Sequence, residues 1–328
     1  MKTNSLRREG AAAAALTLLF AFGLFRPSAA KASGTKSGFV TASDGVKIHY
    51  LEAGAPRTAG TFEVGGTPRP AAAARGKVST GNVHRQPAIL FVPGWTMPAW
   101  IWQKQIDYFS RNYRVVAMDP RSQGESTTTS EGLYPAARAG DIKAVVDQLH
   151  LAPVVLVGWS MAVTELAAYV DQFGTSDVAG LVFVDDNFGG LAPGEGQADL
   201  LFIARILADR QKNTEAFVHN LCFKKPQTAG YLGRVRRACM RTPTSDAVAL
   251  LVGKMAADYR ATAAKITKPA LFCYADGPYM PPAARAQMQQ SVKGSRLEVF
   301  EGAGHALFVD NADQFNSVLD AFLGSLGQ

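Results

Sequence analysis

The stretch Pro153 to Ala162, PVVLVGWSMA, constrains this chain more than any other. Val154 to Val157 is a continuous run of aliphatic, mostly β-branched residues, the pattern of a strand buried on both faces within a parallel sheet. Thr164 to Val170 then carries its apolar residues at helical spacing. The segment reads as strand, tight turn and helix, with Ser160 at the turn. Gly158 and Ala162 flank it as G-x-S-x-A, and small residues are needed there because strand and helix approach closely around a strained serine. A neutral serine is a poor nucleophile, so this turn predicts chemistry only if the rest of the chain supplies a base, an acid that orients it and donors for a developing oxyanion.

With 328 residues, 47% of them hydrophobic, the chain has enough apolar content for one large core with an inserted subdomain, or for two domains. Residues 1–32 read as a signal peptide. Lys2, Arg7 and Arg8 precede a mostly apolar run from Ala11 to Phe25, and Ser28-Ala29-Ala30-Lys31-Ala32 offers cleavage after Ala30 or Ala32. An exported protein, periplasmic or secreted, is therefore expected. The apolar run is short for a stable membrane span.

The formal net charge of +7 dissolves when divided. Residues 1–32 carry five basic side chains against Glu9, and residues 55–86 carry five against Glu63, so the remaining body is close to neutral. No basic face is left for nucleic acid. No dinucleotide fingerprint, phosphate loop or metal-ligand spacing occurs, so no cofactor and no metal are expected. Cys273 falls in an apolar strand and reads as a small buried hydrophobe, whereas Cys222 and Cys239 are candidates for a disulfide in an oxidising compartment.

Further strands follow from the pattern. Phe39–Ala42 and Val46–Leu51 alternate around an Asp44-Gly45 turn, and His49 points outward in that alternation. Residues 55–86, rich in glycine, proline and alanine, read as a flexible insertion. Strands recur at Ala88–Val92, Arg114–Met118, Ala179–Val184, Ala270–Ala275 and Leu297–Phe300, with helices between them such as Pro135–Leu149. Trp100 and Trp102 read as packing or pocket wall, and His150 and His219 as surface residues. This alternation predicts a doubly wound, mostly parallel sheet, whose sites lie at the carboxyl ends of the strands.

Gly158-Trp159-Ser160-Met161-Ala162, Pro93-Gly94-Trp95 after a strand, Asp119-Pro120-Arg121-Ser122-Gln123-Gly124-Glu125-Ser126 and Gly304-His305 after the last strand together resemble the α/β-hydrolase superfamily, in its serine esterase and cofactor-free haloperoxidase-like branch. The resemblance runs from about Phe39 to the C-terminus and implies one hydrolase domain over residues 33–328. Three departures stand out: Ala162 for the last elbow glycine, Pro93 for a histidine, and Ser122 for a glycine. It implies a helical cap subdomain at 188–268 that shapes the substrate pocket. It also implies Ser160 as nucleophile, His305 as base, and the backbone N–H groups of Trp95 and Met161 as oxyanion donors.

The acid has three candidates. Most relatives carry it after the penultimate strand, near Asp276; a minority carry it where Asp185 stands. Asp185 is the preferred reading, followed by Asp276 and then Asp186, whose side chain should face away from that of Asp185 if the strand continues. The resemblance implies an exported serine hydrolase acting on a small-molecule carboxylic ester through an acyl-serine intermediate. Two alternatives remain: a cofactor-free perhydrolase or haloperoxidase using the same residues, and a hydrolase-fold ligand-binding protein without turnover. A serine at the elbow argues against the dehalogenase and epoxide hydrolase branches, which place an aspartate there.

Overall fold

A computed structural model describes residues 34–54, 86–190 and 196–326. The leader at 1–32 and all but the last residue of the 55–86 insertion, including His84, lie outside these residues.

Eight strands form one sheet: β1 Lys36–Thr41, β2 Lys47–Ala53, β3 Ala88–Val92, β4 Val115–Met118, β5 Val154–Trp159, β6 Val178–Val184, β7 Ala270–Ala275 and β8 Arg296–Phe300. Their order is β1-β2-β4-β3-β5-β6-β7-β8. β1 and β2 pair antiparallel, β2 joins β4 antiparallel, and every later pairing is parallel. The doubly wound, mostly parallel sheet predicted from the alternation is the one observed.

The core explains why the central strands read as unbroken apolar runs. Every residue of β3, β4, β5 and β7 is buried, and successive side chains serve opposite faces. Leu90, Val92 and Leu156 pack with Ile142 of helix α2 (Pro135–Gln148) and Leu166 of helix α3 (Met161–Phe173). Ile89, Phe91 and Val155 face the other way, toward helix α1 (Gln103–Phe109) and the C-terminal helix Ala312–Ser325.

β3 is followed in the chain by β4 on one side of it and then by β5 on the other, so the winding reverses between β3 and β5. A crevice opens at such a reversal, outside the carboxyl ends of the strands. Gly94 and Ser160, which follow those two strands, therefore meet there.

Between β6 and β7 the chain is largely helical, with α4 Gln197–Ala208, α5 Arg210–Phe217, a π-helical turn Val218–Cys222, α6 Ala229–Cys239 and α7 Thr244–Met255. Among the described residues no helix is long and apolar enough to cross a membrane.

Two expectations require correction. Cys222 and Cys239 are free thiols. Both are fully buried, and Cys239 Sγ is directed to Met97 Sδ at 3.8 Å rather than to a second cysteine. Burial pushes the Cys222 thiol well up and Cys239 up to about 11, so both stay protonated and unreactive. His49 is also buried, with 6% exposure. The loop after β4 covers its face of the β1–β2 hairpin, so its Nδ1 lies 2.7 Å from Asp119 Oδ2 and its backbone N–H donates to Ser126 Oγ at 2.8 Å.

Candidate active site

Ser160 is held in a backbone conformation that few residues other than glycine adopt, with φ 57°. Its surroundings leave little alternative. The Ser160 N–H donates to Val184 O at 2.8 Å, tying the turn to the end of β6, and Ser160 O accepts from Val163 N at 2.7 Å as α3 begins. A Cβ on Gly158 would lie 2.8 Å from Leu166 and 2.9 Å from Ala162 O, which explains why the residues flanking the turn are small.

From this turn a continuous hydrogen-bonded line runs inward. Ser160 Oγ lies 2.8 Å from His305 Nε2, and His305 Nδ1 lies 2.7 Å from Asp185 Oδ2. An ionised carboxylate only accepts, so Nδ1 carries the proton and Nε2 is free to accept from the serine hydroxyl. Ser160, His305 and Asp185 are 8%, 3% and 1% exposed, so the line is shielded from water except at the serine end. Asp185 also has a positive φ, 55°. Its N–H donates to Cys273 O at 2.9 Å, and its Oδ1 accepts from Ala275 N at 3.0 Å. The histidine is fixed from two sides: its carbonyl accepts from Trp159 Nε1 at 2.8 Å, and its N–H donates to Leu221 O of the π-helical turn at 2.9 Å. Tyr279 lies edge-on to the imidazole, with ring centroids 4.5 Å apart.

The three acidic candidates are thus separated by geometry. Asp276 is exposed and bonds Lys224 at 3.2 Å rather than His305. The Gly302 N–H and Lys224 hold its carboxyl below the usual range. Asp186, 2% exposed, faces a different set of groups from Asp185: Lys254 Nζ at 2.8 Å, the Tyr279 hydroxyl at 3.2 Å and the Asn187 N–H at 2.8 Å. The same three residue types meet again at Ser37, His49 and Asp119, where Ser37 Oγ is 2.8 Å from His49 Nε2. That serine sits in the extended edge strand β1, outside the pocket.

A pocket of about 600 Å³ opens over Ser160 and His305. Met161, Phe202, Phe217, Leu251 and Met255 line its apolar side, and Asp186 and Lys254 stand in its polar wall. Met161 is the first residue of α3, so its N–H has no partner within the helix. Gly94 approaches the serine so closely that an added Cβ would lie 2.7 Å from Ser160 Cβ.

Trp95, the next residue, sends its side chain into the helical insertion. Its Nε1 donates to Ala247 O of α7 at 2.7 Å, the Arg210 guanidinium lies 4.7 Å from the ring, and Phe202 and Phe217 meet it edge-on at 5.3 Å. Sequence reasoning did not find the Asp186–Lys254 pair or the insertion's hold on His305 and Trp95. These are contacts between segments far apart in the chain, without a local pattern. Among the described residues no group of three His, Cys, Asp or Glu side chains is arranged to hold a metal.

A family model described as "Alpha/beta hydrolase family" matches residues 89–318. A non-heme haloperoxidase of Rhodococcus erythropolis is 27% identical over 302 residues, covering 88% of this chain and 99% of that protein. A bifunctional esterase/perhydrolase of Acinetobacter calcoaceticus is 32% identical over 148 residues, covering 45% of this chain and 44% of that protein. An esterase from Exiguobacterium antarcticum shares the fold with a TM-score of 0.73 at 22% identity, over 87% of this chain and 98% of that one.

Proposed function

We propose that this chain, which belongs to the α/β-hydrolase family, is an exported serine hydrolase that cleaves small carboxylic esters through an acyl-Ser160 intermediate. The observation that carries the reading is the Ser160–His305–Asp185 line at the base of the pocket. As Ser160 Oγ attacks the ester carbonyl, His305 Nε2 takes its proton, and Asp185 holds Nδ1–H and stabilises the imidazolium. The backbone N–H groups of Trp95 and Met161 receive the developing oxyanion, where preorganised donors act most strongly. His305 then returns the proton to the departing alcohol, and water activated by the same imidazole releases the acid. The helical insertion acts as the cap that shapes the substrate pocket.

Labelling with a fluorophosphonate tests the reading: the wild type should be modified at Ser160, and Ser160→Ala should be unlabelled. Turnover of a p-nitrophenyl ester should fall by roughly three or more orders of magnitude in Ser160→Ala and in His305→Ala. Near wild-type turnover in Ser160→Ala would sink it. Export rests on the leader sequence; protein recovered outside the cytoplasm should begin near Lys31 or Ser33, and an intact leader on membrane-bound, active protein would overturn that part.

The similarity to a non-heme haloperoxidase and a bifunctional esterase/perhydrolase supports a second use of the same site. Hydrogen peroxide would replace water as acyl acceptor and release a peracid, detectable as peroxide-dependent halogenation in the presence of a carboxylic acid and halide.

A further inference from the structure

We infer that Gln123, locked in place by Arg138 and Glu165, is the residue that aims the Trp95 backbone N–H at the oxyanion. The inference rests on the serine hydrolase reading proposed above. Gln123, Arg138 and Glu165 are each 1% exposed and come from three separate segments: the loop after β4, helix α2 and helix α3. Arg138 Nε lies 2.7 Å from Glu165 Oε1, and Arg138 Nη1 donates to Gln123 Oε1 at 3.0 Å. Gln123 Nε2 then donates to two backbone carbonyls of the loop after β3, Gly94 O and Met97 O, both at 2.9 Å.

The direction of this chain of contacts follows from its chemistry. Guanidinium has donors and no acceptor, so it obliges the glutamine oxygen to face Arg138. The amide NH₂ must then face the loop, where it finds two acceptors. A leucine or methionine of the same size at 123 would fill the space and supply neither donor.

What the amide holds is one half of a rigid unit. The carbonyl of Gly94 and the N–H of Trp95 belong to the same planar trans peptide and point in opposite directions. Holding Gly94 O toward Gln123 therefore fixes the Trp95 N–H on the opposite side of that peptide. The peptide also stands against the nucleophile, since a Cβ at Gly94 would be 3.2 Å from Ser160 Oγ. Among the described residues, Gly94 O receives besides Gln123 one longer bond, from Met97 N at 3.2 Å, within a loop that already holds Thr96 at φ 58°.

The far end of the relay completes the case. Glu165 lies five residues after Ser160 on α3, the helix whose first N–H is the second oxyanion donor. Both proposed donors are thus referenced to one helix, Met161 directly and Trp95 through Glu165, Arg138 and Gln123. Burying a charged pair costs desolvation that an apolar pair of equal volume would avoid. Directional control of an amide is something the apolar pair would not supply.

The test compares wild type with Gln123→Leu and Gln123→Glu. Gln123→Leu removes the donors, and Gln123→Glu keeps an oxygen for Arg138 while placing a second acceptor against Gly94 O and Met97 O. The expected result in both is a kcat lowered about 10- to 100-fold with KM changed less than about threefold, below the roughly 10²- to 10³-fold cost of losing a donor outright. Affinity for a trifluoromethyl ketone, which forms a tetrahedral oxyanion on the serine, should fall by the same factor as kcat, whereas a loss of stability alone would leave the folded fraction's affinity unchanged. If Gln123→Leu does not fold, Gln123→Glu carries the test. Folded variants with wild-type kcat and wild-type ketone affinity would overturn the inference while leaving the hydrolase reading intact. A wild type that neither turns over esters nor takes a fluorophosphonate label would overturn both.

Discussion

Replacing Asp185 with asparagine is the sharpest test of the proposed mechanism, because the structure dictates how the amide would sit. Asp185 Oδ1 accepts from the Ala275 N–H at 3.0 Å, and Oδ2 faces His305 Nδ1 at 2.7 Å. In Asp185→Asn the amide oxygen must take the Ala275 bond, since its NH₂ would otherwise meet another donor. The NH₂ is then turned toward His305, and Nδ1 has to accept. That choice moves the ring proton to Nε2, where it points at Ser160 and cannot receive the serine proton. The variant keeps its shape and packing but has the base in the wrong tautomer, a change expected to cost roughly 10²- to 10⁴-fold in kcat. Steady-state hydrolysis of a p-nitrophenyl ester measures it, with thermal unfolding as the control for the fold. Asp276→Asn, which weakens only exposed contacts with the Gly302 N–H and Lys224, should stay within about twofold of wild type, as exposed pairs contribute little. If Asp276→Asn is the inactive variant and Asp185→Asn turns over normally, the assignment of roles to these two carboxyl groups is wrong.

Two further outcomes concern stability. Burial raises the Glu165 carboxyl to about 7, with Arg138 opposing the shift, so the unfolded chain releases this proton more readily than the folded one. The contribution is therefore full below pH 4.5 and declines as pH rises toward 7, by up to about 3 kcal/mol at 1.36 kcal/mol per pH unit. Glu165→Gln should flatten that slope in urea titrations across the window, and an unchanged slope would refute the argument. Lys254→Met leaves the buried Asp186 carboxylate with only neutral donors and should cost about 1–3 kcal/mol, less than for a fully buried pair because Lys254 is partly exposed. The double variant with Asp186→Asn should recover most of the loss, and additive losses would show that the pair does not interact.

Much of this architecture can be read from local pattern. Unbroken apolar strands, helical spacing between them and a serine at a strand-to-helix turn are short-range signals, and the sheet and the position of Ser160 follow from them. The placement of Asp185 and Asp276 is a different problem. Both follow a strand, and sheet order does not separate them, because β7, which Asp276 follows, lies beside β8. The local turn does, since Asp185 at φ 55° accepts from the Ala275 N–H and meets His305, while Asp276 turns out to Lys224. His49 illustrates the limit of alternation: period two specifies its face of the hairpin, but not that the loop after β4 folds over that face. Gln123 and Arg138 are polar residues in segments that read as a loop and an amphipathic helix, so their burial had no local signature. The unpaired cysteines belong to the same class, because spacing in sequence carries no information about which way a thiol faces.

Trp95 has a consequence for how such an enzyme can change. It lines the pocket beside Ser160, and its indole is clasped by α4, α5 and α7. A new substrate preference acquired by remodelling those helices would also pull on the peptide proposed to meet the oxyanion. The insertion and the pocket floor beneath it are therefore not interchangeable modules. Transplanting the insertion from a relative should give chimaeras whose turnover falls even where the new pocket fits the ester, and compensating changes should collect at positions that support Trp95 rather than in the pocket wall.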